Sequence, residues 1–219
     1  MSKNKKIICI VPALEKNVYS EKGDLVSWGD TTLLEWKLSQ IKDLNFSKEI
    51  YVTTPSKKIA KICKRYNIKV LIRKKNLQLG QLHKFIGKKF NNKFILWLNT
   101  TSPFLTSGII EKFVKKFQKM NKKYDSAFTY LELQEYFFKN NVPINFIPNK
   151  PAISRRNLKP LKQVTGSLYL ISSNHLKKTG SLFGYKPLGF QLDWFSSLEI
   201  KSISDLENYR FLISKYFKR

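Results

Sequence analysis

Cysteine and histidine are scarce in this 219-residue chain, at two of each. Cys9 and Cys63 are too few for a disulfide framework and lack the paired spacing of a zinc site, and His83 and His175 have no ligand-spaced partners. A reducing, cytoplasmic setting fits that pattern. Long apolar runs are missing too; none nears the roughly 20 residues of a membrane-spanning helix, so no membrane partner is expected. Lys3, Lys5 and Lys6 before the apolar residues 7–14 superficially resemble a signal peptide. Glu15 and Lys16 stand where its small-residue cleavage site belongs, and a buried first strand is the expectation. Arginine is also rare: six of the 41 basic residues (65, 73, 155, 156, 210 and 219), the rest being lysine. The formal charge of +26 invites a nucleic-acid reading. Bidentate phosphate and base contacts favour Arg, however, and the lysines are spread along the chain rather than gathered, so no specific nucleic-acid partner is expected. Weak, salt-sensitive adsorption to polyanions is expected regardless. Without internal repeats or low-complexity linkers, residues 1–219 read as a single domain with a substantial core.

What the chain does have is concentrated in residues 94–117, FILWLNTTSPFLTSGIIEKFVKKF. The continuous apolar run 94–98 suits a strand covered on both faces, and Asn99, Thr100, Thr101 and Ser102 follow at its carboxyl end. Open α/β sheets bind ligands just outside those ends, so this polar corner lies where a substrate would; ordinary turn residues are the other reading. Pro103 ends the pairing, Thr106 or Ser107 can cap the next helix, and Ile109, Ile110, Phe113, Val114 and Phe117 share one helical face.

In chain order, 7–11 reads as a strand, and the connection from 13 to about 31 is long enough to be functional. Thr32 and Glu35 form a capping box before a helix. Residues 49–53 read as a strand, and Ser56 caps a helix with Ile59, Ile62, Cys63 and Tyr66 inward. Then come a strand at 69–72 and a helix at 78–90 with Leu79, Leu82, Phe85, Ile86 and Phe90 inward. This βαβα order predicts a mostly parallel sheet with helices on both faces, a three-layer α/β/α Rossmann-like fold. Beyond it, 126–133 and 166–171 read as strands, 174–178 as a short helix and 188–192 as an edge strand. A second capping box, Ser204 with Glu207, opens a closing helix with Leu206, Tyr209, Leu212, Ile213 and Tyr216 inward. Residues 134–162, irregular and rich in proline, suggest a flap or a dimer contact.

Several segments together resemble the cytidylyltransferases that make CMP-sialic acid and related CMP-activated sugar acids. The family's IPARGGSK and RKN are similar to IVPALEKNVYSEKGDL (10–25), and its QPTSPLRT to LNTTSPFLT (98–106). Its SRRQ and NGAIYI resemble SRRN (154–157) and TGSLYLI (165–171). GSLFGYKPLGF (180–190) and SLEIKSISDLENY (197–209) are similar to GSFFGKKPLPY and SIDIDTEEDFEYA.

The resemblance implies a nucleotidyltransferase fold and transfer of CMP from CTP to a sugar acid, with release of pyrophosphate, in surface-glycan synthesis. It places the nucleotide on Ala13, Leu14, Lys16, Lys22 and Asp24, and the sugar acid on Asn99, Thr101, Ser102, Arg155 and Arg156. It gives Glu199 to Mg²⁺ and catalytic roles to Lys22 and Lys201, and it implies a homodimer. The chain also departs from the family. Leu14 replaces Arg, Glu15 and Lys16 replace two glycines, Val18 replaces Lys, and Lys22, Gly23 and Asp24 replace RKN. A carboxylate about 4 Å from a phosphate costs on the order of 4 kcal/mol at an effective dielectric near 20, so Glu15 has to turn away or be neutralised by Lys16. Leu105 replaces the Arg of LRT, and DxD reads Glu199, Ile200, Lys201, whose ammonium can stand in for the second carboxylate. An active cytidylyltransferase with altered loops and a family member that binds without catalysing are both expected readings.

Overall fold

The computed structural model describes residues 6–46, 49–148 and 150–216. Lys3, Lys5 and the side chain of Tyr216 lie outside the described residues. The chain runs β1 (Ile7–Pro12), a 3₁₀ turn (Gly23–Leu25), β2 (Ser27–Trp28), β3 (Thr31–Thr32), α1 (Leu33–Ile41), β4 (Ile50–Thr54), α2 (Lys57–Arg65), β5 (Lys69–Ile72), α3 (Leu79–Lys89) and β6 (Phe94–Leu98). It continues through α4 (Ser107–Met120), β7 (Ser126–Leu133), β8 (Phe138–Lys139), β9 (Val142–Pro143), a second 3₁₀ turn (Arg155–Asn157), β10 (Leu161–Ser172), α5 (Ser173–Thr179), β11 (Pro187–Gln191) and α6 (Ile203–Tyr216).

Seven strands make one sheet in the order β11-β7-β10-β6-β1-β4-β5. β6, β1, β4 and β5 are mutually parallel and β11 is parallel to β7, while β10 runs against both its neighbours. The mostly parallel three-layer fold is therefore present, with the 94–98 strand at its centre. Alternation along β1 and β6 divides the core. Cys9, Val11, Leu96 and Leu98 pack with Leu38 and Phe113 on the α1/α2/α4 face, and Ile8, Ile10, Ile95 and Trp97 pack with Ile86 and Leu176 on the α3/α5 face. A third cluster, Trp28, Leu33, Phe104, Ile200, Leu206 and Ile213, docks α6 beside the strand ends.

The helix starts follow local chemistry. Thr32, Ser56 and Thr106 each accept the backbone N–H three residues on. At α1 the Glu35 carboxylate accepts the Thr31 and Thr32 hydroxyls at 3.2 and 2.8 Å. α6 begins earlier than its pattern suggests: Ser202 accepts the Asp205 N–H and donates to the Asp205 carboxylate, so the cap is Ser202 with Asp205 rather than Ser204 with Glu207. Two residues expected inward face solvent. Tyr66 follows the last turn of α2 and Leu79 is the first residue of α3, and helix ends leave the packed face. Residues 134–160 hold the β8/β9 hairpin and the second 3₁₀ turn, with Phe138, Val142, Ile144 and Ile147 exposed. Among the described residues no helix is long and apolar enough to cross a membrane.

Candidate active site

A cavity of about 470 Å³ opens at the carboxyl ends of β1, β5 and β6. Leu77, Leu79, Leu82, Trp97, Tyr169 and Leu182 form an apolar wall, and Asn17, Tyr19, Asp24, Arg73, Asn99 and Thr101 face it with polar groups. The position is the one open α/β sheets use for ligands.

The loop between β1 and α1 is held by a carboxylate. Asp24 is buried and accepts the Leu14 N–H at 2.6 Å, the Tyr19 hydroxyl at 2.5 Å and the Thr100 hydroxyl at 2.6 Å. Burial raises its pKa against the pull of those three donors, and burial together with the Asp24 charge raises that of Tyr19. The Asp24 N–H returns to the Leu14 carbonyl at 2.8 Å. Gly23 permits this approach: its φ is +49°, and a Cβ there would lie 2.2 Å from the Leu14 oxygen. Asp24 thus joins the loop to the polar corner.

That corner is clamped from every side. The Asn99 amide accepts the Trp97 indole N–H at 3.0 Å and donates to the Gly166 carbonyl at 2.5 Å. Ile200 N–H meets the Thr101 carbonyl at 2.8 Å, and Trp36 Nε1 and Gln40 Nε2 both reach the Pro103 carbonyl at 2.7 Å. Beneath them Lys37, fully buried, donates from Nζ to the Ser102 carbonyl at 2.7 Å. Burial pushes its pKa down to about 7. A break in the β10/β7 register between Val164 and Tyr169 accompanies the approach of Gly166 to Asn99 and Glu199. A Cβ on Gly166 would lie 2.1 Å from Glu199 Oε1.

Of the residues expected at a site, Ala13, Leu14, Asp24, Asn99 and Thr101 come together around the cavity. Other expected residues do not. Ser102 is fully buried, its hydroxyl has no partner among the described residues and it does not line the cavity; Thr100 lines it instead. Lys22 is exposed on the loop shoulder, apart from the lining residues. Lys16 pairs with Glu21 at 2.5 Å and lines a second cleft behind the loop. Glu15 turns to that same side, where its carboxylate accepts the Ser56 hydroxyl. Arg155 is exposed and pairs with Glu135 at 3.2 Å, and Arg156 is exposed beside it in the flap, so this chain's own cavity receives neither. Leu105 is fully buried in the main core. Glu199 lies 3.4 Å from Thr101 Oγ1, accepts the Gly166 N–H at 3.2 Å and pairs with Lys201 at 3.4 Å.

Sequence reasoning passed over Lys37 and Arg73. Lys37 falls midway between Leu33 and Ile41 on the inward face of α1, and that i, i+4 spacing was a usable signal. Arg73 is 8% exposed, lines the cavity just beyond β5 and has no ion pair among the described residues; burial lowers its pKa. Its signal was a lone arginine at a parallel strand's carboxyl end.

Sheet order and cleft together define an open, mostly parallel α/β protein with a ligand-sized cavity at its strand ends. The sequence profile described as Cytidylyltransferase matches residues 24–177, and the chain belongs to that family. It is 23% identical, over 91% of its length, to N-acylneuraminate cytidylyltransferase of Streptococcus agalactiae serotype V. To 3-deoxy-manno-octulosonate cytidylyltransferase of Rickettsia canadensis it is 27% identical over 56% of its length. It covers 51% of each, so the chain spans about half the length of the curated relatives it matches. In fold it is similar to a CMP:2-keto-3-deoxy-manno-octonic acid synthetase solved with CTP, with a TM-score of 0.73 at 11% identity, covering 96% of this chain and 99% of that one. It is similar as well to a cytidylyltransferase from Leptospira borgpetersenii serovar Hardjo-bovis, with a TM-score of 0.66 at 18% identity, covering 98% and 89%.

Proposed function

We propose that the protein transfers CMP from CTP to a hydroxyl of a sugar acid of the sialic-acid or related ulosonic-acid type, in the cytoplasm and for surface-glycan synthesis. The supporting observation is the two-sided cavity at the strand ends, pinned by Asp24 to both the loop and the polar corner. The names of its relatives point to the same substrates: sugar acids for the two sequence relatives, and CTP for the solved one. In this reading the cytidine rests against Leu77, Leu82 and Trp97, with Ala13 and Leu14 beside it. The acceptor meets Asn99, Thr100 and Thr101. Its hydroxyl oxygen bonds to the α-phosphorus and gives up its proton to solvent as the bond from that phosphorus to the bridging oxygen breaks, and pyrophosphate leaves. Positioning and electrostatic stabilisation are what the protein contributes to such a step. Lys22 and Lys201 supply positive charge at the two shoulders of the cleft, and Arg155 and Arg156 serve a site built with a second copy of the chain, the flap being the contact.

The donors around Glu199 do not fit a Mg²⁺ held by the protein. Its carboxylate is already paired with Lys201, and among the described residues no three acidic, His or Cys groups cluster. The chain's own cations therefore carry the electrostatic work in this reading, with the Lys201 ammonium in the second carboxylate's place.

Pyrophosphate release, measured with each nucleoside triphosphate against a panel of sugar acids, is the test: CTP-specific release is the expected result. A second reading, binding without turnover, is favoured by Leu105, which sits in the core where the family carries an arginine. CTP binding by calorimetry with no pyrophosphate release on any acceptor would select it. Activity unchanged in Lys201→Ala would remove Lys201 from the mechanism.

A further inference from the structure

Three side chains of α1 reach across to one short segment. Trp36 Nε1 and Gln40 Nε2 each meet the Pro103 carbonyl at 2.7 Å, and Lys37 Nζ meets the Ser102 carbonyl at 2.7 Å. These two carbonyls directly follow the 99–101 corner, which Asp24, Gly166 and Ile200 grip from other sides. Of the three donors in the α1 clamp, only Lys37 can change its charge.

Two buried acceptors beside the clamp are left over. Ser102 Oγ belongs to the residue whose carbonyl Lys37 bonds, and Gln40 Oε1 lies one turn along α1; neither has a hydrogen-bond partner among the described residues. A neutral amine carries two N–H groups and an ammonium three, so a proton arriving at Nζ adds a donor where acceptors on neighbouring residues are unsatisfied. A buried ammonium held by a single carbonyl is costly, and taking up one of those acceptors shifts the 102–103 segment against α1. Burial holds the Lys37 pKa at about 7, so both forms are populated at neutral pH. The charged groups of the surrounding elements are engaged elsewhere: Glu35 with Thr32 and Arg65, Glu111 with Lys115, Asp24 with Thr100, and Glu199 with Lys201. The lysines of α2 and α4 are exposed, and burial pushes the Cys63 thiol up to about 11.

We propose that Lys37 is a positioning residue for the polar corner: through the Ser102 carbonyl it couples the placement of Asn99 and Thr101 to the protonation of its own amine. It touches no ligand in the cavity and acts only by way of those residues. Only the consequence for turnover rests on the proposed CMP transfer.

The tryptophans supply a test on the full chain without ligand. The Trp36 indole N–H bonds to Pro103 and that of Trp97 to Asn99, at 2.7 and 3.0 Å, while Trp194 is exposed and serves as the control. Followed by the indole N–H signals in NMR from pH 6 to 9, Trp36 and Trp97 are expected to move with one shared midpoint at about 7 and Trp194 to stay in place. Lys37→Met fills the same space without an ionisable group and should abolish that midpoint; Lys37→Gln, a second non-titrating variant that keeps an N–H donor, should abolish it too. His83 stands edge-on to Trp97 at 4.7 Å, but burial holds its ring below the ordinary histidine range. The absence of a shared midpoint in the wild type overturns the proposal. So does a midpoint that survives in Lys37→Met, which assigns it to Asp24 or His83. In a pyrophosphate-release assay at pH 8.5, Lys37→Met is expected to raise the KM of the sugar acid at least fivefold and that of CTP less, with part of the loss recovered in Lys37→Gln. No rise in the acceptor KM overturns the positioning role. A protein that never transfers CMP would remove the activity and leave the indole titration to decide for Lys37.

Discussion

Lys37 shows how one residue can hold a site it does not touch. Its amine sits under the Ser102 carbonyl with no ion pair among the described residues, and burial holds its pKa at about 7, against about 10.4 in an unfolded chain. Between those values the unfolded chain binds a proton that the folded one lacks, so stability rises with pH across that window and is lost as pH falls toward 7. The slope reaches about 1.4 kcal/mol per pH unit. Urea unfolding at pH 7.5 and 9.5 is expected to show the wild type gaining more than Lys37→Met; parallel gains would refute it. Asp24 permits a second test. Asp24→Ala strands the Leu14 N–H and the Tyr19 and Thr100 hydroxyls, at about 1–3 kcal/mol for a buried group left unsatisfied. A loss of roughly 3 kcal/mol in chemical denaturation is expected, together with at least tenfold weaker CTP binding, and Asp24→Asn should lose less of both. The polar corner at 99–102 was legible in the sequence through its place at a strand end, and Asp24 only through the family resemblance. Lys37 and Arg73 carried weaker signals, in helical spacing and in place at a strand end, because a basic side chain in a lysine-rich chain reads as surface until its burial is known.

At the scale of elements, close backbone approach sets the path of the loop between β1 and α1, and two glycines separate that effect from backbone strain. Gly23 and Gly29 both have positive φ, at +49° and +57°. A Cβ at Gly29 would meet only an Ile213 methyl at 3.6 Å, whereas at Gly23 it would overlap the Leu14 carbonyl. Gly29→Ala is expected to cost about 1–2 kcal/mol of left-handed strain. Gly23→Ala should cost roughly twice that, because overlap adds to strain, and it should loosen the cavity wall. Thermal unfolding of both variants provides the comparison, and equal losses would place the whole effect in φ. Strands β1, β4, β5 and β6 and helices α1 to α4 were legible from apolar runs and helical spacing, since each is a local pattern. The extent of β10 and the cap of α6 were not. Pairing of β10 with β7 continues past its apolar stretch, and Ser202 competes with Ser204 on equal local terms.

For the whole molecule, charge and exposed apolar surface make separate predictions. The +26 charge, carried mostly by dispersed lysines, predicts sequence-independent DNA adsorption that falls steeply with salt. A filter-binding series showing sequence preference at 150 mM salt would contradict that. On the flap, Phe138, Val142, Ile144 and Ile147 lie more than half exposed on one short segment. If two copies meet there, sedimentation should show a dimer that Phe138→Ser with Ile147→Ser converts to a folded monomer, and an unchanged sedimentation coefficient would rule the flap out.

The sequence by itself determined the layering, the central strand and the polar corner at its carboxyl end, because hydrophobic period and strand-terminal polarity are local and survive without neighbours. It also carried the ordered family segments. Tertiary structure alone decided which polar groups are available. Only packing buries Ser102 and Leu105, sends Glu15 behind the loop to Ser56, ties Lys201 to Glu199 and leaves Arg73 buried without an ion pair among the described residues. The reason is physical. Residue type sets what a side chain can bind, but its partners and its desolvation are set by segments far away in the chain.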